Sequence, residues 1–455
     1  MSTICLNMIV KNEASIIVDT LTNILDNIHI DYWVIADTGS DDGTQSVIQT
    51  FFQQRGIPGE LLQHEWKNFG HNRELALQGA QGKTDYVFFF DADDRFEGTF
   101  ALPDSLTATI YNFYLTNMVR TTRYPRRLLV KNDGSCEWVG VLHEVITAKN
   151  SATSNETYIE GDYHVISGRF GARNQNPNKY LDDARMLEEA YAQEQNQALK
   201  RRYAYYCGQS YRDCNQPEAA ALWYERNIEL CSKTGEEVRF SYIALGTEYR
   251  KLNDSAKTLE AWWNAYNAAP QHAEALGLIA EYLYVLERYN LGLEVAKKAS
   301  TLPAPQPHAT LFVNEPVHRY VIWYELGRHA VKLSLWDDAY ASAKHLLNQV
   351  EHSDALNNFI LSILEALKGH IELDTFANAK QIQHRIAAMQ QLQTDVTRPA
   401  LESAAMPTRW KRCAAICLAA LALDSGAGLH RPSGRMRTSL SKWRRWRCCG
   451  LALTR

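Results

Sequence analysis

The chain reads as two kinds of fold in series: an α/β domain with a Rossmann-like parallel sheet, then an all-α domain of helical repeats. Three observations predict this. Strand-like and helix-like runs alternate through the first hundred residues, as βα units do. One of these runs, Tyr86-Val87-Phe88-Phe89-Phe90, is bulky and β-favouring throughout, the texture of a strand buried on both faces, and it leads straight into Asp91-Ala92-Asp93-Asp94. From about Tyr180 the texture changes to an Ala-rich and aromatic-rich helical pattern with an internal period.

The elements follow in order. Ile4 to Val10 is a strand, and Lys11-Asn12-Glu13 is the polar break after it. The next helix places Ile17, Leu21, Ile24, Leu25 and Ile28 on one face. Tyr32 to Ala36 is the second strand. It ends in Asp37-Thr38-Gly39-Ser40-Asp41-Asp42-Gly43-Thr44, a loop full of turn and capping residues that opens a helix from about Gln45 to Gln54. A strand near Leu61 to Trp66, a helix from about Arg73 to Gln78 and the strand Tyr86 to Phe90 complete a set with right-handed crossovers.

The acidic cluster carries the chemistry. Three carboxylates within four residues stand at the C-terminal end of a strand, where open α/β sheets bind ligands. Carboxylates this close repel unless a positive charge lies among them. Hard divalent cations take oxygen ligands and bind phosphates, so Mg²⁺ or Mn²⁺ on a phosphorylated substrate is the natural partner. Aspartates after a strand also occur in ordinary turns, and the neighbouring motifs must separate the two readings.

In the second half, Tyr242-x2-Leu245-Gly246-x2-Tyr249 followed by Trp262, Ala265 and Pro270 has tetratricopeptide spacing. Gly208-x2-Tyr211 with Ala220 and Tyr224 fits the same register one unit earlier. Ala280, Leu283, Ala296 and Ala299 fit more loosely one unit later, and Trp323-x2-Leu326-Gly327 with Ala339 and Leu346 makes a fourth. The anchors 208, 246, 280 and 327 lie 38, 34 and 47 apart, so the array is irregular. A generic helical bundle is the plainer alternative, but small and aromatic residues recur in step.

Composition bounds the function. At 455 residues the chain holds two or three domains: residues 1–175, residues 176–390, and a tail over 391–455. Residues 396–455 hold 12 Lys and Arg against 2 Asp and Glu, leaving 36 against 50 before them. An acidic body argues against nucleic acid as a partner. The tail, with Lys442-Trp443-Arg444-Arg445-Trp446, lacks helical patterning; it suits a membrane surface or nucleic acid, and better an unstructured appendage or sequence read out of its native frame. Cys5, Cys136, Cys207, Cys214 and Cys231 have no disulfide-framework spacing and fit reduced thiols. With no signal peptide and no membrane span expected, a cytoplasmic location follows.

Four segments now stand in order: Asn7-Met8-Ile9-Val10-Lys11-Asn12-Glu13, Ala36-Asp37 through Thr44, Asn68-Phe69-Gly70-His71-Asn72-Arg73, and Asp91-Ala92-Asp93-Asp94. This set resembles glycosyltransferase family 2, whose catalytic domain has the GT-A fold. Trp138-Val139-Gly140-Val141-Leu142-His143-Glu144 resembles the Gly-x-x-His-Glu segment of its bacterial-type members, and the pairing with tetratricopeptide-like helices is similar to a sub-group that includes peptide S-glycosyltransferases. The resemblance covers roughly residues 1–175 by motif and 180–370 by architecture.

It implies an inverting, metal-dependent hexosyl transfer from a UDP-sugar, with roles that follow residue by residue. Asp37 accepts the uracil imide hydrogen, and Asn12 and Glu13 line the nucleotide pocket. Arg73 lies beneath that pocket, neutralising phosphate or pairing with an aspartate. Asp93 is the direct ligand of Mn²⁺ or Mg²⁺. Asp91 bonds ribose or a metal-bound water, and Asp94 caps the following turn. The cation neutralises the diphosphate leaving group. Glu144 is the general base, and His143 beside it orients acceptor or phosphate. His164 is a third metal ligand, and Arg169 or Lys179 a phosphate partner. One departure is that only about 50 residues separate Asp93 from Glu144, which shortens the acceptor side.

The implied partners are the UDP-sugar, a saccharide, peptide or lipid-linked acceptor, and a second copy of the chain through the repeats. Two other functions compete. A non-catalytic tetratricopeptide scaffold with a relic nucleotide-binding domain has no reason to keep clustered charge. A nucleotidyltransferase needs a glycine-rich basic loop where Lys11-Asn12-Glu13 stands.

Overall fold

In a computed structural model, residues 2–118, 120–168, 170–305, 310, 312–347 and 354–367 are described. Arg169 and the basic tail lie outside them. The described residues divide into two compact units, those up to 282 with 297–318, and 283–296 with those from 319 to 367.

The first unit begins with the alternation read from sequence. Strand β1 is Ile4–Val10, helix α1 Ile17–Asn27, β2 Tyr32–Asp37, α2 Thr44–Arg55, β3 Gly59–Gln63, α3 Phe69–Ala80 and β4 Tyr86–Phe89. Strand β3 ends earlier than its apolar run suggests, and α3 starts four residues before Arg73, because the Asn68 side chain accepts the His71 N–H and caps the helix. The chain continues through β5 Arg95–Gly98, β6 Ile110–Asn117, β7 Thr122–Lys131, β8 Cys136–Val139, β9 Val145–Ala148, β10 Glu156–Tyr158 and β11 Tyr163–Ser167.

The main sheet runs β3-β2-β1-β4-β7-β6-β11-β5. It is parallel over β3-β2-β1-β4, as expected, and mixed beyond. Strands β6 and β7 are joined by a short connection, which only an antiparallel pair allows, and β7 then pairs antiparallel with β4. Strands β8 and β9 form a separate two-stranded ribbon. The Phe-rich strand is buried on both faces. Phe88 and Phe90 enter one core with Ile17, Leu21 and Ile24 of α1, while Val87 and Phe89 enter another with Leu77 of α3 and Trp138 of β8.

Helices follow: α4 Lys179–Gln193, α5 Gln197–Asp213, α6 Pro217–Leu230, α7 Glu236–Lys251, α8 Ser255–Ala268, α9 Glu274–Val285 and α10 Tyr289–Ser300, then a two-residue strand β12, Val313–Asn314, and α11 Ile322–Lys332, α12 Trp336–Leu347 and α13 Asp354–Leu367. Helices this short gain their stability from packing in pairs. The anchors of the sequence repeat mark those pairs. Left-handed residues end the first helix of each hairpin at Asn215, Asn253, Glu287 and Ser334, each seven residues after its anchor at 208, 246, 280 or 327. The shared offset makes these helices tetratricopeptide-like.

The small anchors are small for a reason. A Cβ on Gly208 would lie 2.8 Å from the Tyr224 ring, and one on Gly246 2.5 Å from the Trp262 ring. Trp262 is wholly buried and donates its indole N–H to Ile243 O at 3.1 Å, so it cannot yield. Replacing Gly246 by Ala should therefore destabilise the protein by up to about 2 kcal/mol in urea unfolding, as an overpacking cost of roughly 1–3 kcal/mol is set against a helix-propensity gain of about 1 kcal/mol.

Candidate functional site

Because β1, β2 and β4 are parallel neighbours, their C-terminal ends lie together, and each delivers polar residues to one edge. Asn12 follows β1 in a left-handed conformation (φ 58°), which asparagine tolerates. Its N–H donates to Ser40 Oγ at 2.9 Å, and its side-chain oxygen accepts the Asp41 N–H at 2.9 Å. Asn12 thus holds the loop after β2. Asp42 takes the turn-capping role, accepting from Thr44 N and Oγ1.

Asp37 ends β2 and is almost wholly buried. Its Oδ1 accepts the N–H groups of Gly39 and Ser40 and the Gln45 amide, each at 2.9 Å. Burial works against its charge, but the hydrogen bonds from Ser40, Gln45 and Gly39 outweigh it and hold the carboxyl below its ordinary range. Its Oδ2 is buried and accepts nothing among the described residues. A charged acceptor with one oxygen left over suits an N–H donor from a ligand.

The acidic cluster after β4 divides into two parts. Asp91 is clamped. Its Oδ1 accepts Arg73 Nη2 at 2.5 Å and its Oδ2 accepts Arg126 Nη1 at 2.8 Å. Burial opposes its charge, but Arg126 and Arg73 prevail and keep it well below the usual carboxylate range. Arg73 reaches on to Glu144, whose Oε1 it binds through Nε at 2.6 Å. Arg73 and Glu144 side chains are 8% and 7% exposed, so this is a buried bridge from Asp91 to the candidate base.

Asp93 and Glu13 form the other part. Asp93 Oδ2 accepts the Gly171 N–H at 3.2 Å, and Glu13 accepts the Ala172 N–H at 3.3 Å. A Cβ placed on Gly171 would lie 3.0 Å from Glu13 Oε1 and 3.3 Å from Asp93 Oδ2, so both carboxylates converge on that residue. Burial, and then the charge of Asp91, pushes Asp93 up. Burial pushes Glu13 up to about 7, against the pull of the Ala172 N–H and with the charge of Asp93 behind it. Asp94 is raised by burial and by Asp91, with Arg126 3.7 Å away in partial compensation. It does not cap the following turn: its Oδ1 accepts the N–H of Gly168, because the end of β11 passes over it.

Arg73 and Arg126 are both engaged by Asp91, so Glu13 and Asp93 are the acids here that neither arginine meets. This donor set fits a hard divalent cation. Mg²⁺ is characteristically held by one or two carboxylates, with phosphate and water completing its shell. Among the described residues no three His, Cys, Asp or Glu side chains gather in a way that could hold a metal ion. Asp91, Asp93 and His164 are accordingly not brought together as one ligand set. His164 pairs in register with Glu97 and lies 3.7 Å from its carboxylate. Lys179 donates to Asn174 Oδ1 at 2.5 Å, and Asn174 reaches Asp93 Oδ2 at 3.5 Å, so Lys179 approaches the acids through one intermediary.

His143 and Glu144 lie in the turn between β8 and β9. His143 is left-handed (φ 52°), and its ring stacks on Tyr206 of α5 at 3.8 Å.

Residues 5–109 match the family model of glycosyl transferase family 2. The family 2 match takes in Asn12, Glu13, Asp37, Arg73, Asp91 and Asp93, and stops short of His143, Glu144 and His164. Among solved structures, the C-terminal part of a TPR repeat-containing protein from Cytophaga hutchinsonii is 12% identical, with 50% of this chain and 80% of that one covered at a TM-score of 0.37. MamA is 13% identical, with 43% and 96% covered at 0.30. A thermophilic TPR protein of Thermus thermophilus is 14% identical, with 41% and 92% covered at 0.30. No curated protein matches the chain. Among the described residues no helix is long and apolar enough to cross a membrane.

Sequence reasoning passed over Arg126, which sits unmarked in Thr122-Arg123-Tyr124-Pro125-Arg126-Arg127. Its period-2 position was the available signal: Arg127 turns to the opposite face and pairs with Glu156 at 2.9 Å. The loop 170–174, with no charge cluster of its own, gave no signal.

The raised carboxyl of Glu13 sets a pH dependence. Below 4.5, its ordinary value, the side chain is neutral in both folded and unfolded chains. Between there and about 7 the folded protein holds a proton the unfolded chain has released, so stability falls as pH rises through that window. In metal-free buffer, Glu13→Gln should leave the Tm unchanged near pH 4 and raise it near pH 8.

Proposed function

We propose that the protein is an inverting, metal-assisted glycosyltransferase that moves a sugar from a UDP-sugar to a nucleophilic acceptor. The carrying observation is the shared edge of β1, β2 and β4, where a buried, half-satisfied Asp37 stands in line with the converging carboxylates of Glu13 and Asp93. The family match over residues 5–109 supports the same reading. That match alone speaks for sugar transfer; donor, cation and stereochemistry are our inference from the residues.

In this reading the Asp37 Oδ2 accepts the imide N–H of uracil, and Asn12 fixes the loop that presents it. Asp93 and Glu13 hold Mn²⁺ or Mg²⁺, which when bound offsets charge on the departing diphosphate. Asp91 is a positioning residue: clamped between Arg73 and Arg126, it supports the turn that carries Asp93. The acceptor O–H or S–H attacks the anomeric carbon from the face opposite the diphosphate. Its new bond to carbon forms as the carbon–oxygen bond to phosphate breaks. The electron pair leaves with UDP, and the acceptor proton passes to Glu144. Glu144 gives only Oε1 to Arg73, which leaves Oε2 for that proton. A non-catalytic scaffold leaves unexplained a site that keeps Arg73 and Arg126 matched to its acids.

The test is UDP release from a panel of UDP-sugars with Mn²⁺. The wild type should release UDP from at least one donor, and Asp93→Ala should lower that rate by about two orders of magnitude, as expected when several kcal/mol of charge stabilisation is lost. Asp37→Ala should weaken UDP binding about tenfold, the effect of one hydrogen bond to a charged acceptor. Equal, slow hydrolysis by wild type and Asp93→Ala would overturn the reading.

A further inference from the structure

The turn that bears Glu144 is gripped by the helical part of the chain at four points. Leu142 is 4% exposed and packs in one apolar cluster with Ala184 and Leu187 of α4, Tyr203, Ala204 and Cys207 of α5, and Trp223 of α6. The Val141 N–H donates to Tyr203 Oη at 3.2 Å. The His143 carbonyl accepts from Arg202 Nε at 2.7 Å. The His143 ring lies flat on Tyr206, with centroids 3.8 Å apart and planes 9° apart. From the other side α3 presses close: a Cβ on Gly70 would fall 1.9 Å from Gly140 O.

Such a grip has a physical purpose. The turn contains two residues with positive φ, Gly140 at 96° and His143 at 52°. For a non-glycine residue that conformation is unfavourable and persists only where surroundings impose it. The next residue is Glu144, and its distance to an acceptor depends on where this turn stands. Helix α3 and Arg73 fix Glu144 from below, while α5 fixes the backbone before it.

We infer that Arg202, Tyr203 and Tyr206 of α5 are positioning residues for Glu144, so that the first helices of the tetratricopeptide-like array complete the catalytic site. This rests on the transferase reading above. The helices then do more than hold a partner: they set the turn from which the acceptor loses its proton. A displacement of about 1 Å at a reacting group costs up to about a hundredfold in rate, so loss of the grip is expected to show in turnover, not donor affinity.

The experiment uses the full chain, UDP-sugar with Mn²⁺, and water as acceptor. Arg202→Ala and Tyr206→Ala should each lower kcat for UDP release by about tenfold or more, with KM for the donor within about twofold. Tyr206→Phe, which keeps the stacked ring, should retain most of the wild-type rate. Tyr203→Phe, which loses only the hydroxyl, should fall between. A uniform loss in Tyr206→Ala and Tyr206→Phe, or an unchanged kcat in both alanine variants, overturns the inference. Hydrogen exchange decides it independently of any activity. Amides of Val141 to Glu144 should exchange about tenfold faster in Arg202→Ala and Tyr206→Ala than in wild type, while those of β4 do not change. Unchanged exchange at the turn refutes the positioning role even if wild type releases no UDP, an outcome that by itself would count only against the transferase reading.

Discussion

A buried arginine needs its charge met on every side, and Arg73 organises the site by meeting that need. It projects from α3, takes Asp91 at the end of β4 and Glu144 in the β8–β9 turn, and lies 5.1 Å from the Trp138 ring centroid. Three segments far apart in sequence are thereby fixed around one guanidinium. Burial opposes its charge, yet Asp91 and Glu144 raise its pKa above the ordinary arginine value, so it stays a cation under any condition in which the fold exists.

Arg126 extends the clamp and gives the acidic cluster its polarity. With Asp91 taken from both sides and Asp94 tied to the end of β11, Asp93 and Glu13 are the acids that neither arginine meets. The Gly171 and Ala172 amides and the Asn174 side chain donate to that pair, and neutral N–H donors are a weak substitute for a cation. Acids of one cluster thus serve different ends according to which arginine lies near. Asp91 is held by both arginines, and Asp93 is left for the cation of the proposed reaction.

The helical array is joined to this chemistry by more than chain connectivity. Besides the contacts of α5 with the 140–144 turn, β12 adds a strand to the edge of β7 beside Arg123, and Phe312 packs between Tyr124 of β7 and Phe240 of α7. Tyr124 is half-buried against the sheet core, burial pushes its hydroxyl up to about 12, and it neighbours Arg126 and Asp94. Strand β7 is therefore the element through which sheet and helices share the site.

Three features were legible from the chain alone: the alternation of β1 to β4, the burial of the Phe-rich strand on both faces and the register of the helical repeat. All three are local patterns: period 2, period 3.6 and a recurring small residue are set by backbone geometry whatever packs nearby. Asp91 and Asp93 stood out because residues at parallel strand ends face one edge, while Asp37, Arg73 and Glu144 came with the family resemblance. Their surroundings depend on long-range packing. Whether Asp91 or Asp93 has charge to offer depends on Arg126, which approaches from an antiparallel strand that no local pattern places beside β4. His164 was expected as a ligand from the family resemblance, and the β5–β11 pairing sets it against Glu97. Long-range pairing, and the cost of burying charge without a partner, made those choices, and neither is written in the neighbourhood of the residue concerned.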